Sequence, residues 1–161
     1  MRVIRNRPEW TDGAFVPGRS IVAIGNFDGV HLGHLALVKR CRALAGPDDS
    51  VAVVTFEPLP LAHFRPDDPP ARLTTVYQKL GLLASQGVDL AWQMRFGRRF
   101  AALSARDFVV MVLVEKLRAG CVVIGEDFRF GRAKEGDAAL MRKLGAEFGF
   151  DVEIVPAVMV D

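Results

Sequence analysis

The fold follows from one stretch of sequence, SIVAIGNFDGVHLGH at residues 20–34. Its first five residues form a short apolar run, which predicts a strand buried on both faces. A glycine-rich turn comes next, and residues 33–45 then have the pattern of a helix that Gly46 and Pro47 would close. The stretch therefore predicts a strand, a turn and a helix in that order.

The same alternation continues along the rest of the chain. Further strands are predicted at residues 51–56, 88–92, 121–125 and 152–155, and helices from Thr74 or Thr75 to about Gln86, from Ser104 to Gly120, and from Asp137 onward. Strands separated by helices of this length favour a parallel sheet with right-handed crossovers. We therefore expect an α/β, Rossmann-like fold, in which a five-stranded, mainly parallel, doubly wound sheet carries helices on both faces.

Composition narrows the class of protein. The 161 residues fit one domain, and half of them are hydrophobic and a quarter charged, as in ordinary globular proteins. A net charge of +2, without a basic stripe, argues against a nucleic-acid partner. Cys41 and Cys121 do not form a C-x-x-C pair, and the longest apolar run, residues 108–114, is too short to span a bilayer. We expect a cytoplasmic protein with reduced thiols and no membrane partner.

The turn after the first of these strands has the composition of an anion site. It contains Gly25, Gly29 and Gly33, which permit close backbone approach, and it contains two of the three histidines of the chain, His31 and His34. A spacing of three residues puts both imidazoles on one side of the first helical turn, beside backbone N–H groups and the positive end of the helix dipole. In an open parallel sheet, ligands bind where such loops leave the carboxyl ends of the strands.

The composition of this turn also fits other kinds of site. The stretch has neither the P-loop pattern G-x-x-x-x-G-K-[ST] nor the dinucleotide fingerprint G-x-G-x-x-G. A glycine-rich turn with two structural histidines is the plainest alternative. A metal site at His31 and His34 would need a third ligand, and the sequence offers none at a convincing spacing. The third histidine, His63, lies in a proline-rich loop and is interpreted as a solvated or packing residue.

Residues 24–34 resemble the histidine motif of the N-terminal FMN adenylyltransferase (FAD synthetase) module of the bacterial bifunctional riboflavin kinase/FAD synthetase family. The similarity continues through TFEPLP at 55–60, RLT at 72–74, FAALS at 100–104 and VIGEDFRFG at 123–131, and it covers nearly the whole chain. It implies that residues 1–161 form a single nucleotidyltransferase-like domain, cut before a C-terminal riboflavin kinase domain of a longer protein.

The resemblance also implies a reaction and the residues that perform it. AMP would pass from ATP to FMN, giving FAD and pyrophosphate, with Mg²⁺ accompanying the ATP and no dedicated protein metal ligand. The implied catalytic residues are His31, His34 and Asn26. The implied ATP-binding residues are Gly25, Asn26, Phe27, Asp28, Gly33, His34, Gly125, Asp127 and Phe128. The implied flavin-binding residues are Phe56, Glu57, Pro58, Leu59, Arg72 and Phe130, although core packing is an equal alternative for Phe128 or Phe130.

Two departures from the family pattern keep other functions open. Leu59 stands where the family usually has histidine, and the chain ends at Asp161, before the Ser/Thr-rich segment whose arginine meets the ATP phosphates in the family. One alternative is therefore a non-catalytic module that binds a flavin or an adenine nucleotide. The other is an adenylyltransferase for a different phosphorylated acceptor, such as pantetheine phosphate or nicotinate mononucleotide.

Overall fold

The computed structural model describes residues 1–5, 13–27, 32–57, 67 and 75–156. Its strands are β1 (Arg2–Arg5), β2 (Ser20–Ile24), β3 (Ser50–Phe56), β4 (Leu90–Met94), β5 (Ala119–Gly125) and β6 (Asp151–Val155). Its α-helices are α1 (Leu32–Leu44), α2 (Val76–Ser85), α3 (Arg98–Ala101), α4 (Ala105–Phe108) and α5 (Ala138–Phe148). Helix α4 continues as a π-helix (Val109–Lys116), and a 3₁₀ turn (Arg132–Lys134) precedes α5.

The described strands form a single parallel sheet in the order β1-β4-β3-β2-β5-β6. This confirms the predicted α/β class and the parallel arrangement. The sheet has one strand more than expected, because β1 pairs with β4 and places Ile4 beside Trp92. The sequence of β1 is short and half charged, so its strand conformation depends on that edge pairing and not on a longer apolar run.

Apolar side chains cover both faces of the sheet, as the prediction of a doubly wound fold requires. Val22, Ile24 and Val54 point to the face covered by α4, the π-helix and α5. Ile21 and Val53, their neighbours along the strands, point to the face covered by α1 and α2. Alternation along each strand thus divides the core into two layers.

Local signals at the helix starts are confirmed. The Thr75 side chain accepts a hydrogen bond from the backbone N–H of Gln78 in a complete capping box, while Ser104 and Asp137 cap α4 and α5. The helix that begins after Ser104 ends earlier than expected. It widens into the π-helix and stops at Lys116, whose ammonium donates to the Gly13 carbonyl (3.0 Å) and lies over the Phe15 ring. Among the described helices, none has the length and apolar character to cross a membrane.

Candidate active site at the carboxyl edge of the sheet

The order of the strands marks one place on the sheet edge. From β2 the chain winds outward through β3 and β4, and it then crosses to the other side of β2 to form β5 and β6. The direction of winding therefore reverses between β2 and β5, which are parallel neighbours. In doubly wound sheets a ligand crevice opens at such a switch point, beyond the carboxyl ends of the two strands. The glycine-rich turn follows β2 at this point, and residues 126–131 follow β5.

The start of the turn after β2 is fixed by buried contacts. The Gly25 N–H donates to the Val54 carbonyl at 3.1 Å, and Phe27 adopts a left-handed backbone conformation with φ of 55°. The Phe27 ring is fully buried, and its centroid lies 4.8 Å from that of the His34 ring. A Cβ at Gly25 would lie 3.2 Å from the Phe27 ring, so glycine leaves room for it. Because the Phe27 side chain belongs to the core, the predicted contact between this residue and the nucleotide would have to come from its backbone.

His34 lies in the first turn of α1, where the sequence places it, and it is half-buried beside Phe27. Gly33 lies in the same helical turn. Asp28 and His31 lie outside the described residues, as do Pro58, Leu59 and Arg72. The pairing of His31 with His34 therefore stays a prediction, and so do the flavin contacts of those other residues.

Aromatic rings line the neighbouring strand ends. The Phe56 ring, 6% exposed, packs against Phe96 and Phe100 at centroid distances of 5.9 and 5.4 Å. Phe130 is equally buried, and the half-buried Phe128 stacks on it at 5.7 Å and 10°. Phe56 and Phe130 are thus core residues in this structure. Of the two phenylalanines after β5, Phe128 is the one with a ring surface left to meet a ligand.

The loop after β5 is held by backbone hydrogen bonds within itself and to Leu103. Phe130 and Gly136 exchange two backbone hydrogen bonds (3.2 and 2.7 Å), and the Arg132 N–H donates to the Leu103 carbonyl (2.7 Å). Gly131 has φ of 80°, and a Cβ there would lie 2.7 Å from the Ala105 backbone. The segments 103–105 and 131–132 are therefore in contact. The Asp127 side chain is exposed, two residues beyond the carboxyl end of β5.

A lysine that the sequence patterns did not single out contacts the ends of β2 and β3. Lys79 of α2 is fully buried, and its ammonium donates to the Thr55 hydroxyl (2.9 Å) and to the Glu57 carboxylate (3.3 Å). The sequence does contain a signal that Lys79 is buried. Lys79 and Leu83 are four residues apart and so lie on the same face of α2, and Leu83 is apolar. A lysine on such a face needs buried acceptors.

No group of three or more histidine, cysteine, aspartate or glutamate side chains within the described ranges is placed to hold a metal ion. The polar features at the described part of this edge include the carboxylate of Asp127, the half-buried imidazole of His34 and the N-terminus of α1. Of these, the helix N-terminus and the imidazole suit the binding of phosphate groups.

Comparison with known proteins identifies the family. The family model described as FAD synthetase matches residues 16–161. The chain belongs to the FAD synthetase family. Its resemblance to the bifunctional enzymes is thereby confirmed, and FMN as substrate and FAD as product fit this family.

Curated relatives of the FAD synthetase family are named bifunctional riboflavin kinase/FMN adenylyltransferase. The Escherichia coli K12 relative is 47% identical over 133 residues, which are 82% of this chain and 42% of the relative. Those of Buchnera aphidicola (from Acyrthosiphon pisum) and Pseudomonas fluorescens are each 38% identical, over 85% and 88% of this chain and 44% and 45% of their own lengths. The chain spans less than half the length of these relatives.

Solved structures support the same fold. A Streptococcus pneumoniae crystal structure described as a macrolide-efflux protein superimposes with a TM-score of 0.84 at 25% identity, covering 100% of this chain and 60% of that one. A pantoate-β-alanine ligase from Francisella tularensis, in complex with β,γ ATP and β-alanine, gives 0.57 at 16% identity, covering 98% and 68%. The second likeness concerns the fold alone.

Proposed function

We propose that this chain is an FMN adenylyltransferase. In the proposed reaction a phosphate oxygen of FMN attacks the α-phosphorus of ATP, the bond from that phosphorus to the bridging oxygen of the β-phosphate breaks, and FAD and pyrophosphate form. The observation that carries the proposal is the position of the histidine motif of this family. It lies where β2 turns into α1, at the switch point of a doubly wound parallel sheet.

The proposed work of the protein is positioning and charge stabilisation. The N-terminus of α1 presents backbone N–H groups and a partial positive charge, which favour a polyphosphate. His34 in that first turn, together with His31, would donate to phosphate oxygens as negative charge moves to the leaving pyrophosphate. Asn26, whose side chain is exposed after β2, would complete the phosphate contacts. The Mg²⁺ ion is proposed to enter as part of the substrate MgATP, held by phosphates and water.

The two ring systems are proposed to occupy opposite sides of the crevice. Gly125, Asp127 and Phe128 follow β5 and would meet the adenosine moiety of ATP, with the half-buried Phe128 ring as an apolar surface. Glu57 follows β3 and would lie on the flavin side. Phe56 and Phe130 would contribute by supporting this surface from the core.

The test is to incubate the purified protein with FMN, ATP and Mg²⁺ and to follow FAD by chromatography. Formation of FAD and pyrophosphate in equal amounts is expected. Ligand-induced thermal stabilisation without product would favour a non-catalytic nucleotide-binding module. Faster transfer to pantetheine phosphate or nicotinate mononucleotide than to FMN would contradict the proposed acceptor.

We also propose that the full-length protein carries a riboflavin kinase domain. The names of the curated relatives pair the two activities, and those relatives are more than twice as long as the matched region. Such a domain would make the FMN that this one consumes. Sequencing the reading frame beyond the codon for Asp161 tests this, and a stop codon there would contradict it.

A further inference from the structure

Lys79 is the most unusual charged residue in the described part of the chain. Its side chain has no exposed surface, although lysine is among the residues least often fully buried. An ammonium taken out of water must be compensated by hydrogen bonds and by opposite charge. The oxygens that compensate it therefore indicate what holds this lysine in place.

These oxygens come from the ends of two neighbouring strands. The Lys79 ammonium donates to the Asn26 carbonyl (3.2 Å), which follows β2, and to the Thr55 hydroxyl (2.9 Å) of β3. It also lies 3.3 Å from the Phe56 carbonyl and 3.3 Å from the Glu57 carboxylate, where β3 ends. The three N–H donors of one lysine thus connect α2 to both loops that leave β2 and β3.

The Asn26 carbonyl is held from two directions. It accepts from Lys79 and also from the Thr55 hydroxyl, at 2.9 Å. Fixing this carbonyl fixes the peptide plane between Asn26 and Phe27, at the point where the backbone enters its left-handed turn. The side chain of Asn26 is exposed, and α1 begins at Leu32, after the turn that follows. A change in the orientation of this peptide plane would displace the groups that are proposed to contact the phosphates.

The Glu57 carboxylate is the charged partner of the Lys79 ammonium. Its side chain is 19% exposed, whereas that of Lys79 is 0% exposed, so the carboxylate lies between the buried ammonium and solvent. Glu57 is further tied to the sheet by its N–H, which donates to the Met94 carbonyl at 2.8 Å. The ammonium therefore sets the direction of a carboxylate at the mouth of the loop after β3, without reaching the crevice itself.

We propose that Lys79 is a positioning residue for adenylyl transfer, which holds the Asn26 backbone and the Glu57 carboxylate in the arrangement that the reaction requires. This proposal rests on the proposed function. Methionine keeps the length of the Lys79 side chain, but removing one partner of a buried ion pair also lowers stability, so kcat is measured at a temperature at which every variant is folded. The consequence is a separation of effects, in which turnover of the folded protein falls while its substrate affinity changes little.

The experiment compares Lys79→Met, Lys79→Arg and a matched control, Lys143→Met, which removes an exposed lysine from α5. We expect Lys79→Met to lower kcat for FAD formation by about 100-fold, the size of effect that a misplacement of about 1 Å produces. KM for ATP and for FMN should change less than about 3-fold, whereas loss of a uniform binding contact would raise KM instead. Lys79→Arg, which keeps the charge and the donors, should recover part of kcat.

Three results would overturn the proposal. They are a kcat for Lys79→Met within about 3-fold of that of Lys143→Met, a change confined to KM, or no recovery in Lys79→Arg when both variants are folded at the assay temperature. If Lys79→Met does not fold, Thr55→Val replaces it, because it removes one acceptor of the ammonium and the second donor to Asn26. A normal kcat in folded Thr55→Val would then overturn the proposal. A wild-type protein that forms no FAD overturns the proposed function itself, which distinguishes the two failures.

Discussion

At the scale of single residues, the proposed function depends most on the contact between Phe27 and His34. Their ring centroids are 4.8 Å apart, and Phe27 has no exposed surface. The imidazole is therefore supported on one side by a rigid core residue, at a helix N-terminus. In the proposed reaction this support would lower the barrier, because preorganised donors do not have to reorient as charge develops.

His34→Ala should lower the rate of FAD formation by roughly 10²–10³-fold, the usual loss when one preorganised donor is removed. Steady-state kinetics with ATP and FMN measure it, and far-UV circular dichroism should be unchanged. His63→Ala is the matched control, since the sequence gives that histidine no part in the site. Equal rates in wild type and His34→Ala would mean that the turn after β2 does not perform the chemistry.

At the scale of elements, α2 shows how a local sequence signal supports a distant contact. Thr75 accepts from the Gln78 N–H (3.1 Å), and the Gln78 side chain accepts from the Thr75 N–H (2.9 Å). The Thr75 carbonyl also accepts from the Lys79 N–H at 3.0 Å. The capping box thus orders the helical turn that carries the buried ammonium into the sheet edge.

Thr75→Ala should reduce the free energy of unfolding by about 1 kcal/mol, because the N–H groups of the first turn lose their acceptor. Urea denaturation followed by fluorescence measures this change. Ser85→Ala, at the exposed C-terminal end of the same helix, should stay within about 0.5 kcal/mol of the wild type. An equal loss in both variants would show that the cap contributes nothing specific.

At the scale of the whole molecule, the core between the sheet and α1 contains both cysteines. Burial, with a smaller effect from Cys121, raises the pKa of the Cys41 thiol from 9.0 to about 12. Burial also raises the pKa of Cys121, helped by Asp151 and Glu153. Folding therefore favours the protonated thiols, so their contribution to stability is complete below pH 9 and is lost as the pH rises toward 12.

The free energy of unfolding should thus fall on going from pH 8 to pH 10.5, with Cys41 accounting for about 2 kcal/mol of the decrease. Urea denaturation at the two pH values gives the difference. Cys41→Ala removes the ionising group, and its own difference between the two pH values should be smaller by that amount. If both proteins lose the same stability, the Cys41 thiol ionises equally in the folded and unfolded chain.

Much of this molecule was predictable because the deciding forces act over a few residues. Apolar runs such as residues 20–24 and 121–125 indicated strands, and Thr75, Ser104 and Asp137 marked helix starts through hydrogen bonds that span three residues. The histidine motif likewise predicted a site at the turn after β2. These features need no knowledge of what packs against them.

The sequence by itself therefore determined the α/β class and the family, and it predicted the segment that would carry the chemistry. Only the tertiary structure decided that β1 joins the sheet, that Phe56 and Phe130 belong to the core, and that Lys79 reaches the ends of β2 and β3. Each of these depends on contacts between residues far apart along the chain. Burial of a ring or an ammonium is a property of what surrounds it, and local periodicity does not contain that information.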